Sequence, residues 1–278
     1  MKKLYIFLTF LAFHFSFSQI VNIPDSNFKA FLLAANTTTN KIAFTTTGAT
    51  VIDTNGNGEI EESEAQAINV RLYFKNNTLI TDVTGIEKFV NVTQVEIGGF
   101  TNLSNLDLNN MPHLKTVFLY NLPQVNILNF NATSPLVKLD ISSCPSITNF
   151  TINSPTLQDL RLTYGGGSGQ LDLTNCPILK KLYIESTQVA TLNASNLGSL
   201  DNVDIRDNTL LGSVNLSDSN NITKIGIGGS GSLTSLDISN KPFLLELRVQ
   251  GNSSLNTLNI QNCTKLKTIF ANSNILSN

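Results

Sequence analysis

Apolar and polar residues alternate along most of the chain in apolar-x-apolar triplets that recur about every eleven residues. The series begins at Val95 and continues to Ile269, with two steps of ten residues. Alternation of this kind predicts a strand with one buried face. A strand that recurs at a fixed period predicts stacked copies of one unit, each of which buries the apolar surface of its neighbour. The pattern therefore predicts a mostly β solenoid.

The triplets form two alternating rows. In the first strand row, for example at Asp107, the outward middle residue is Asp or Asn everywhere except at Thr151. In the second strand row, for example at Tyr183, the outward residue varies in charge, size and polarity. One coil therefore spans about 22 residues and carries a short strand on each side. We expect two parallel sheets, one from each row.

The second strand row also carries a polar turn position, five residues after the first apolar residue of the triplet. It is occupied by Cys144, Thr187, Asn208, Ser230, Asn252 and Asn274. A polar side chain that turns inward there can satisfy backbone groups of the adjacent turn. Phe100, Leu122 and Gly165 depart from this pattern, so we expect an interrupted ladder in the first half.

This pattern approximates the L-x-L-x-x-N/C core of leucine-rich repeats, whose coils span about 20 to 29 residues. Residues 70–278 thus resemble the short-repeat, internalin-like leucine-rich-repeat proteins of bacterial cell surfaces. The resemblance implies extracellular recognition by a concave sheet, and it implies no catalytic chemistry.

The first 18 residues have the pattern of a signal peptide. Lys2 and Lys3 precede an apolar run over residues 4–15, and small residues follow at 16–18. We expect cleavage after Ser18 and export to the extracellular space or the cell surface, with the periplasm as the alternative. No other stretch approaches the ~20 apolar residues of a membrane span, so we expect no membrane insertion. Removal of Lys2 and Lys3 changes the formal net charge from -2 to -4, which argues against a nucleic-acid partner.

Residues 19–69 lack the repeat and are predicted to form a small helical N-terminal cap. Asp25 precedes a helical pattern that places Phe28, Phe31 and Leu32 on one face. Such a helix would cover the open apolar end of the first coil. The Thr- and Asn-rich residues 36–50 are predicted to form a loop. The expected organisation is a signal peptide over 1–18, the cap over 19–69 and the solenoid over 70–278.

Residues 53–64 match the EF-hand calcium loop D-x-[DN]-x-[DN]-G-x5-E at every defined position. In such a loop a Gly allows a tight turn that gathers side-chain oxygens, one carbonyl, one water-mediated contact and a final bidentate Glu around the ion. The expected metal ligands, in that order of roles, are Asp53, Asn55, Asn57, Glu59, Glu61 and Glu64. We predict a structural Ca²⁺ of modest affinity. The alternative is an acidic Asn-Gly turn that holds no metal.

Catalytic chemistry has few candidate residues. Cys144, Cys176 and Cys263 are expected to be buried and unpaired, and His113 is the only histidine after processing. No nucleophile elbow, zinc-protease or phosphate-loop motif occurs. We therefore predict a protein that is not an enzyme. The alternative is a polysaccharide-active enzyme on a parallel β-solenoid, which would need two carboxylates ~5 to 9.5 Å apart.

The second strand row is the predicted ligand surface, because recognition surfaces are enriched in Tyr, Phe and Arg. Its expected ligand-binding residues are Phe118, Tyr120, Asp140, Arg161, Tyr183, Glu185, Asp204 and Arg206. Beyond them Gly226 and Gly228 leave a bare coil, where we expect weaker contact. The predicted function is adhesion or recognition of an extracellular protein or glycan by an exported, non-enzymatic binding protein.

Overall fold

The protein is a β-solenoid of about nine coils, each of about 22 residues, as the periodicity predicts. A computed structural model describes residues 19–130, 134–147 and 152–276. The expected signal peptide and Thr151 lie outside the described residues. Two α-helices and a short 3₁₀ helix lie near the amino terminus: α1 (Ser26–Leu33), α2 (Glu62–Ala67) and the 3₁₀ helix Ile86–Lys88.

The strands fall into three groups. A hairpin near the amino terminus consists of β1 (Ala43–Thr45) and β2 (Gly48–Thr50). The second strand row forms β3 (Arg71–Lys75), β4 (Gln94–Gly98), β6 (Thr116–Tyr120), β8 (Lys138–Ser142), β9 (Asp159–Thr163), β11 (Lys181–Glu185), β13 (Asn202–Arg206), β15 (Lys224–Gly228), β17 (Glu246–Arg248) and β19 (Thr268–Phe270). The first strand row forms β5 (Asn105–Leu108), β7 (Ile127–Phe130), β10 (Ser168–Asp172), β12 (Gln188–Asn193), β14 (Ser213–Asn215), β16 (Ser235–Asp237) and β18 (Thr257–Asn259).

The second strand row and the hairpin form one 12-stranded sheet. Within the row all strands are parallel and in register, so that Leu182 pairs with Leu160 on one side and with Val203 on the other. These apolar residues are buried, whereas the residues between them face outward. Each coil therefore buries the apolar face of the next. The sheet begins one coil earlier than the triplet series, because Leu72 and Phe74 in β3 are also buried.

Among the described residues, the strands of the first row form three short sheets, β5-β7, β10-β12-β14 and β16-β18. The triplet at 150–152 falls between the first two of these sheets, and residues 150 and 151 lie outside the described residues. The outward Asp and Asn residues bond to their own turns: Asp107 accepts from the amide of Asn109 at 2.9 Å, and Asp237 from that of Ser239 at 2.8 Å. Such local side-chain bonds compete with strand pairing, which accounts for the short strands.

Helix α1 covers the first coils, as predicted for the cap. Asp25 Oδ1 accepts hydrogen bonds from the amides of Asn27 and Phe28 at 2.8 and 3.0 Å and thereby caps the helix. Phe28 and Leu32 are fully buried. The rings of Phe28 and Phe31 lie edge-on to Phe74, with centroid distances of 5.8 and 5.4 Å.

The prediction of a loop over residues 36–50 is wrong in its second half. Residues 43–50 form the β1–β2 hairpin, and β1 pairs antiparallel with β3. Gly48, with a φ of 122°, allows the hairpin turn, and Thr side chains suit strands. In the first half the side chain of Asn36 accepts from the amides of Thr38, Thr39 and Asn40, which holds the chain in a turn.

Each strand of the second row, from β3 to β19, is followed by a left-handed residue, a feature that the sequence analysis missed. The position lies four residues after the first apolar residue and is occupied by Asn76, Gly99, Asn121, Ser143, Tyr164, Ser186, Asp207, Gly229, Gly251 and Ser273. Glycine, Asn and Asp tolerate this conformation best. The repeated occurrence of Gly, Asn and Asp at the same position of the coil could therefore have predicted this conformation from the sequence.

Candidate functional site

The outward residues of the second strand row form one continuous surface, which we call the sheet face. Register pairs Phe118 with Asp140, Asp140 with Arg161, Arg161 with Tyr183 and Tyr183 with Asp204, so these five residues form one column. The neighbouring column contains Tyr120, Ser142, Thr163, Glu185 and Arg206. The structure therefore brings all eight predicted ligand-binding residues onto one face.

Tyr183 lies at the centre of an ordered polar cluster. Its hydroxyl donates to Glu185 Oε2 at 2.5 Å, and this bond raises the pKa of Tyr183 to about 12. The guanidinium of Arg161 lies 4.6 Å from the centroid of the Tyr183 ring, and that of Arg206 lies 5.8 Å away. Arg206 also forms two bonds to Asp204, of 2.7 and 2.5 Å. These contacts fix the orientation of the aromatic and charged groups.

Phe118 and Asp140 are half-buried on the same face, beside Lys138. The Lys138 ammonium group lies 5.2 Å from the centroid of the Phe118 ring. Burial raises the pKa of the Asp140 carboxyl, while the charges of Arg161 and Lys138 act in the opposite direction.

Tyr120 differs from the other aromatic residues of the sheet face, because its ring lies over Gly98 in the preceding strand. A Cβ atom at Gly98 would overlap that ring. Within the described part of the chain the buried Tyr120 hydroxyl has no hydrogen-bond partner. Burial, followed by the nearby charge of Glu96, raises the pKa of Tyr120. Tyr120 thus packs against the sheet more than it projects from it.

The sheet face also contains a cleft that the sequence analysis missed. It has a volume of about 600 Å³ and lies over β15, between β13 and β17. Its floor contains Gly226 and Gly228, and its walls include Arg206 and Arg248. Two glycines at alternate outward positions were the only sequence signal for it.

The loop over residues 53–64 is closed by its two end carboxylates. Asp53 accepts from the amides of Gly56 at 2.7 Å and Gly58 at 2.9 Å. Both glycines are left-handed, with φ values of 71° and 79°, as this tight turn requires. Glu64 is buried and accepts from the amide and the hydroxyl of Thr54 at 2.7 and 2.8 Å. Although burial alone would raise it, hydrogen bonds with Glu61 and Thr54 lower the pKa of Glu64.

The two Asn residues of the loop are oriented by Glu61. The Nδ2 atoms of Asn55 and Asn57 donate to the Glu61 carboxylate at 3.2 and 2.7 Å. Their Oδ1 atoms accept from the amides of Asn57 and Glu59, at 2.9 and 2.8 Å. The Glu59 side chain points to helix α1, where it forms an ion pair of 2.6 Å with Lys29. This leaves the Glu59 carbonyl, rather than its carboxylate, as the candidate ligand.

The donor set of this loop fits a hard cation. Among the described residues no cluster of three or more His, Cys, Asp or Glu is placed to hold a metal. The loop instead combines two carboxylates, Asp53 and Glu64, with amide and carbonyl oxygens, and Ca²⁺ accepts such mixed oxygen ligands. A softer metal that needs His or Cys ligands would find none in the loop.

The loop also joins three parts of the molecule. The Ile60 carbonyl accepts from the amide of Val21 at 2.8 Å, while the Glu62 amide donates to the Gln19 carbonyl at 2.8 Å. The Glu62 side chain pairs with Lys88 of the 3₁₀ helix at 2.6 Å. The loop thus lies at the junction of the amino-terminal segment, helix α1 and the first coil.

The inward polar ladder exists in the second half of the solenoid, as predicted. Asn208 Oδ1 accepts from the amide and the hydroxyl of Thr187, and its Nδ2 donates to the carbonyls of Ile184 and Arg206. Asn252 Oδ1 likewise accepts from the amide of Ser230, and its Nδ2 donates to the carbonyls of Ile227 and Val249. These side chains satisfy backbone groups that would otherwise be buried without partners.

All three cysteines are free thiols, as predicted. Cys144 and Cys176 are buried, and burial raises the pKa of Cys144 to about 11. Cys263 is partly exposed, so the prediction of burial was wrong for this residue. Its thiol still donates to the Ile238 carbonyl at 3.1 Å, which is a structural role.

No helix in the described ranges is long and apolar enough to cross a membrane. A family model described as "Endo-beta-N-acetylglucosaminidase EndoS LRR domain" matches residues 63–208, about half of the chain. The chain belongs to this leucine-rich-repeat family. The match confirms the repeat architecture inferred from the triplets. Curated proteins gave no match to the chain.

Two solved structures from Listeria monocytogenes are similar to this leucine-rich-repeat protein. The first is InlP, with 23% sequence identity and a TM-score of 0.42; the alignment covers 62% of this chain and 59% of InlP. The second is the functional domain of InlJ, which includes a cysteine ladder, with 18% identity and a TM-score of 0.36. That alignment covers 94% of this chain and 72% of the InlJ chain. The chain thus spans less than two thirds of InlP.

Proposed function

We propose that this protein is an exported, non-enzymatic leucine-rich-repeat binding protein that recognises an extracellular protein or glycan through the sheet face. The observation that carries the proposal is the single continuous surface formed by aromatic and charged residues from Phe118 to Arg206. Its site of action is the extracellular space or the cell surface, with the periplasm as the alternative. The signal-peptide pattern over residues 1–18 supports export.

Preorganisation supports recognition by the sheet face. Arg161, Tyr183 and Arg206 are held in place by ring contacts and by bonds to Glu185 and Asp204. A ligand that meets groups already fixed in position loses less conformational entropy on binding. Tyr and Arg are also the residues that most often dominate binding energy at interfaces.

The opposite side of the solenoid offers a natural control surface. Asn215 accepts from the amide and the hydroxyl of Ser217, and its Nδ2 donates to Asn193 at 3.1 Å. These side chains therefore satisfy one another and the local turns. Asn193, Asn215 and Ser217 carry no aromatic ring and no charge that a partner could bind.

A structural Ca²⁺ at residues 53–64 belongs to this proposal. Asp53, Asn55, Asn57 and Glu64 would hold it with side-chain oxygens, Glu59 with its carbonyl and Glu61 through a water. The ion would neutralise carboxylates at the junction of the cap and the first coil. Support comes from the complete loop pattern and from the oxygen donors that surround the turn.

Binding measurements on an array of glycans and extracellular-matrix proteins test the recognition proposal. Arg161→Ala and Tyr183→Ala should each weaken the strongest interaction about thirtyfold, or ~2 kcal/mol, and both variants should remain folded at the assay temperature. Asn215→Ala is the matched control and should bind normally. Equal losses from both sides of the solenoid would contradict the assignment of the ligand surface. Tyr120→Ala is unsuitable, because the ring packs over Gly98.

An assay for sugar release, run on the same glycans, tests the non-enzymatic assignment. Binding without turnover is the expected result. Release of reducing sugar that is lost in Asp140→Asn would instead favour the polysaccharide-active alternative.

A further inference from the structure

The cleft over β15 exists because β13 and β17 hold long side chains on either side of Gly226 and Gly228, which have none. Gly226 pairs with Asp204 in β13 and with Arg248 in β17. The resulting volume of about 600 Å³ is within the usual range of small-ligand sites, roughly 300 to 1,000 Å³.

The backbone does not require glycine at the floor of this cleft. Gly226 is not left-handed, and an added Cβ would lie 3.3 Å from a single movable atom, Oδ1 of Asp204. Gly228 is different, since its Cβ would lie 2.8 Å from the backbone oxygen of Gln250. Glycine inside a strand is less stable there than alanine, and it often marks a close approach by a ligand. Local structure therefore explains Gly228 but leaves Gly226 unexplained.

The side chains of Arg206 and Arg248, which form the walls of the cleft, point away from Gly226 at its floor. Arg206 extends toward the ring of Tyr183 in β11, 5.8 Å from the ring centroid. Arg248 extends the other way, to 4.7 Å from the centroid of the Phe270 ring in β19. Each guanidinium is also bonded to a carboxylate of its own strand, Asp204 at 2.5 Å and Glu246 at 2.6 Å. The cleft is thus held open, with its donors and acceptors already oriented.

Charge on the cleft lining is balanced. Three carboxylates and three cations line it: Asp204, Asp207, Glu246, Arg206, Lys224 and Arg248. A balanced lining gives no net Coulombic attraction to a phosphate or to a basic peptide. It does offer donors and acceptors close together, and a sugar hydroxyl can use both at once. Tyr183 and Phe270 lie one strand beyond the two walls, where their rings contact the guanidinium groups of Arg206 and Arg248.

We propose that the cleft above Gly226 binds a short segment of a neutral glycan, which extends along the sheet face toward Tyr183. This inference rests on the proposed recognition function and names its ligand class. The coil that carries Gly226 and Gly228, where the sequence alone predicts weak contact, would then hold one sugar unit.

The test fills the cleft from its floor, and the nearest group, the Asp204 carboxylate, needs to shift only slightly. Gly226→Tyr places a side chain at the register position that Asp204 and Arg248 occupy in the neighbouring strands, and Asn215→Tyr is the matched control on the opposite side. The probes are neutral oligosaccharides of glucose, galactose, mannose and N-acetylglucosamine, with sialylated and sulfated glycans and extracellular-matrix proteins on the same array. At least one neutral glycan should bind, and Gly226→Tyr should weaken it about tenfold or more. The melting temperature of Gly226→Tyr should equal or exceed that of the wild type, because an aromatic residue suits a strand better than glycine.

Arg248→Ala provides a second variant that removes one wall instead of filling the floor, and it should also weaken neutral glycans. The inference is overturned if no neutral glycan binds, if only charged glycans or proteins bind, or if both variants bind neutral glycans normally. In each case, loss of another ligand in Arg161→Ala or Tyr183→Ala would leave the proposed function standing. If those two variants also retain all binding, the recognition proposal fails as well.

Discussion

The two ends of the solenoid fill the same turn position with opposite chemistry. In the first coils the position holds Phe100 and Leu122, whereas later coils hold Asn208, Asn252 and Asn274. Phe100 stacks on Phe74 with a centroid distance of 6.3 Å and receives the edge of Phe31 from helix α1 at 5.7 Å. The asparagines instead bond to backbone groups of two coils.

The difference shows that one backbone path can be stabilised in two ways. Near the cap, a helix supplies apolar partners, so burial of aromatic rings holds the turn. Farther along, each coil has only its neighbours, and a side chain with both donors and acceptors must satisfy the buried backbone. Four sets of measurements test this difference.

The largest expected effect comes from Phe100→Ala in the aromatic part. The ring is fully buried between Phe74 and Phe31, so its removal leaves a cavity and should lower the free energy of unfolding by about 3 to 5 kcal/mol. Chemical denaturation measures the change. Phe243→Ala is the control, because Phe243 is 43% exposed and should matter little. Similar losses in the two variants would argue against an aromatic core at this end.

Asn208→Ala should lower the free energy of unfolding by about 3 kcal/mol, because it leaves the Thr187 amide and the Ile184 carbonyl buried without partners. Asn208→Leu should not restore stability, although Leu122 serves well at the equivalent position. Asn221→Ala, which removes an exposed bond to the Gly198 carbonyl, is the matched control. A stable Asn208→Leu variant would show that the two kinds of turn are interchangeable.

Calcium should stabilise the capped end selectively. At one hundred times its dissociation constant, Ca²⁺ should add ~2.7 kcal/mol relative to excess chelator, measured by calorimetric melting. Glu64→Ala should abolish this difference, and Glu62→Ala, which affects only the pair with Lys88, should preserve it. Hydrogen exchange should slow in α1 and α2 but not around Asn252. An identical melting midpoint with calcium and with chelator would refute the structural ion.

The smallest effect concerns pH and the sheet face. The pKa of Tyr183 is about 12 in the folded chain, against roughly 10 for an unperturbed Tyr. The folded state therefore favours the protonated form, and the stability from the Glu185 bond is present below about pH 10 and lost as the pH rises through about 12. Tyr183→Phe should thus be less stable than the wild type near neutral pH and converge with it in alkali. Glu185→Gln should lower the pH at which Tyr183 ionises in an absorbance titration; an unchanged midpoint would mean that Glu185 does not hold the proton.

Much of the fold could be predicted from sequence because the repeat is carried by buried residues. The alternation around Leu182 recurs in nearly every coil, and the same residues that create the pattern form the core. The strand of the first coil lies within the predicted solenoid over 70–278 but outside the triplet series, because Leu72 lies 23 residues before Val95. The bonds from residues such as Asp107 to their own turns were not predicted, because the triplet pattern does not show which hydrogen-bond partner a side chain finds.

The candidate sites were predictable where spacing alone defines them. The order of oxygen donors from Asp53 to Glu64 stays a prediction of the loop pattern, and the pattern does not show the bonds by which Glu61 orients both asparagine amides. The cleft was unpredictable for a similar reason. The absence of a side chain at Gly226 leaves a cleft only because the side chains of Arg206 and Arg248 point away from each other. The spacing of residues along the sequence does not predict the direction of a side chain.

Because strands pair only between adjacent coils, the number of coils can change during evolution. Each strand of the second row from β4 to β17 pairs with the preceding and the following strand of that row, in the same register. An in-frame duplication of one coil in the gene would therefore add a complete layer and leave the other layers as they are. The number of coils, and with it the length of the sheet face, could therefore increase or decrease one coil at a time to match a larger or smaller ligand.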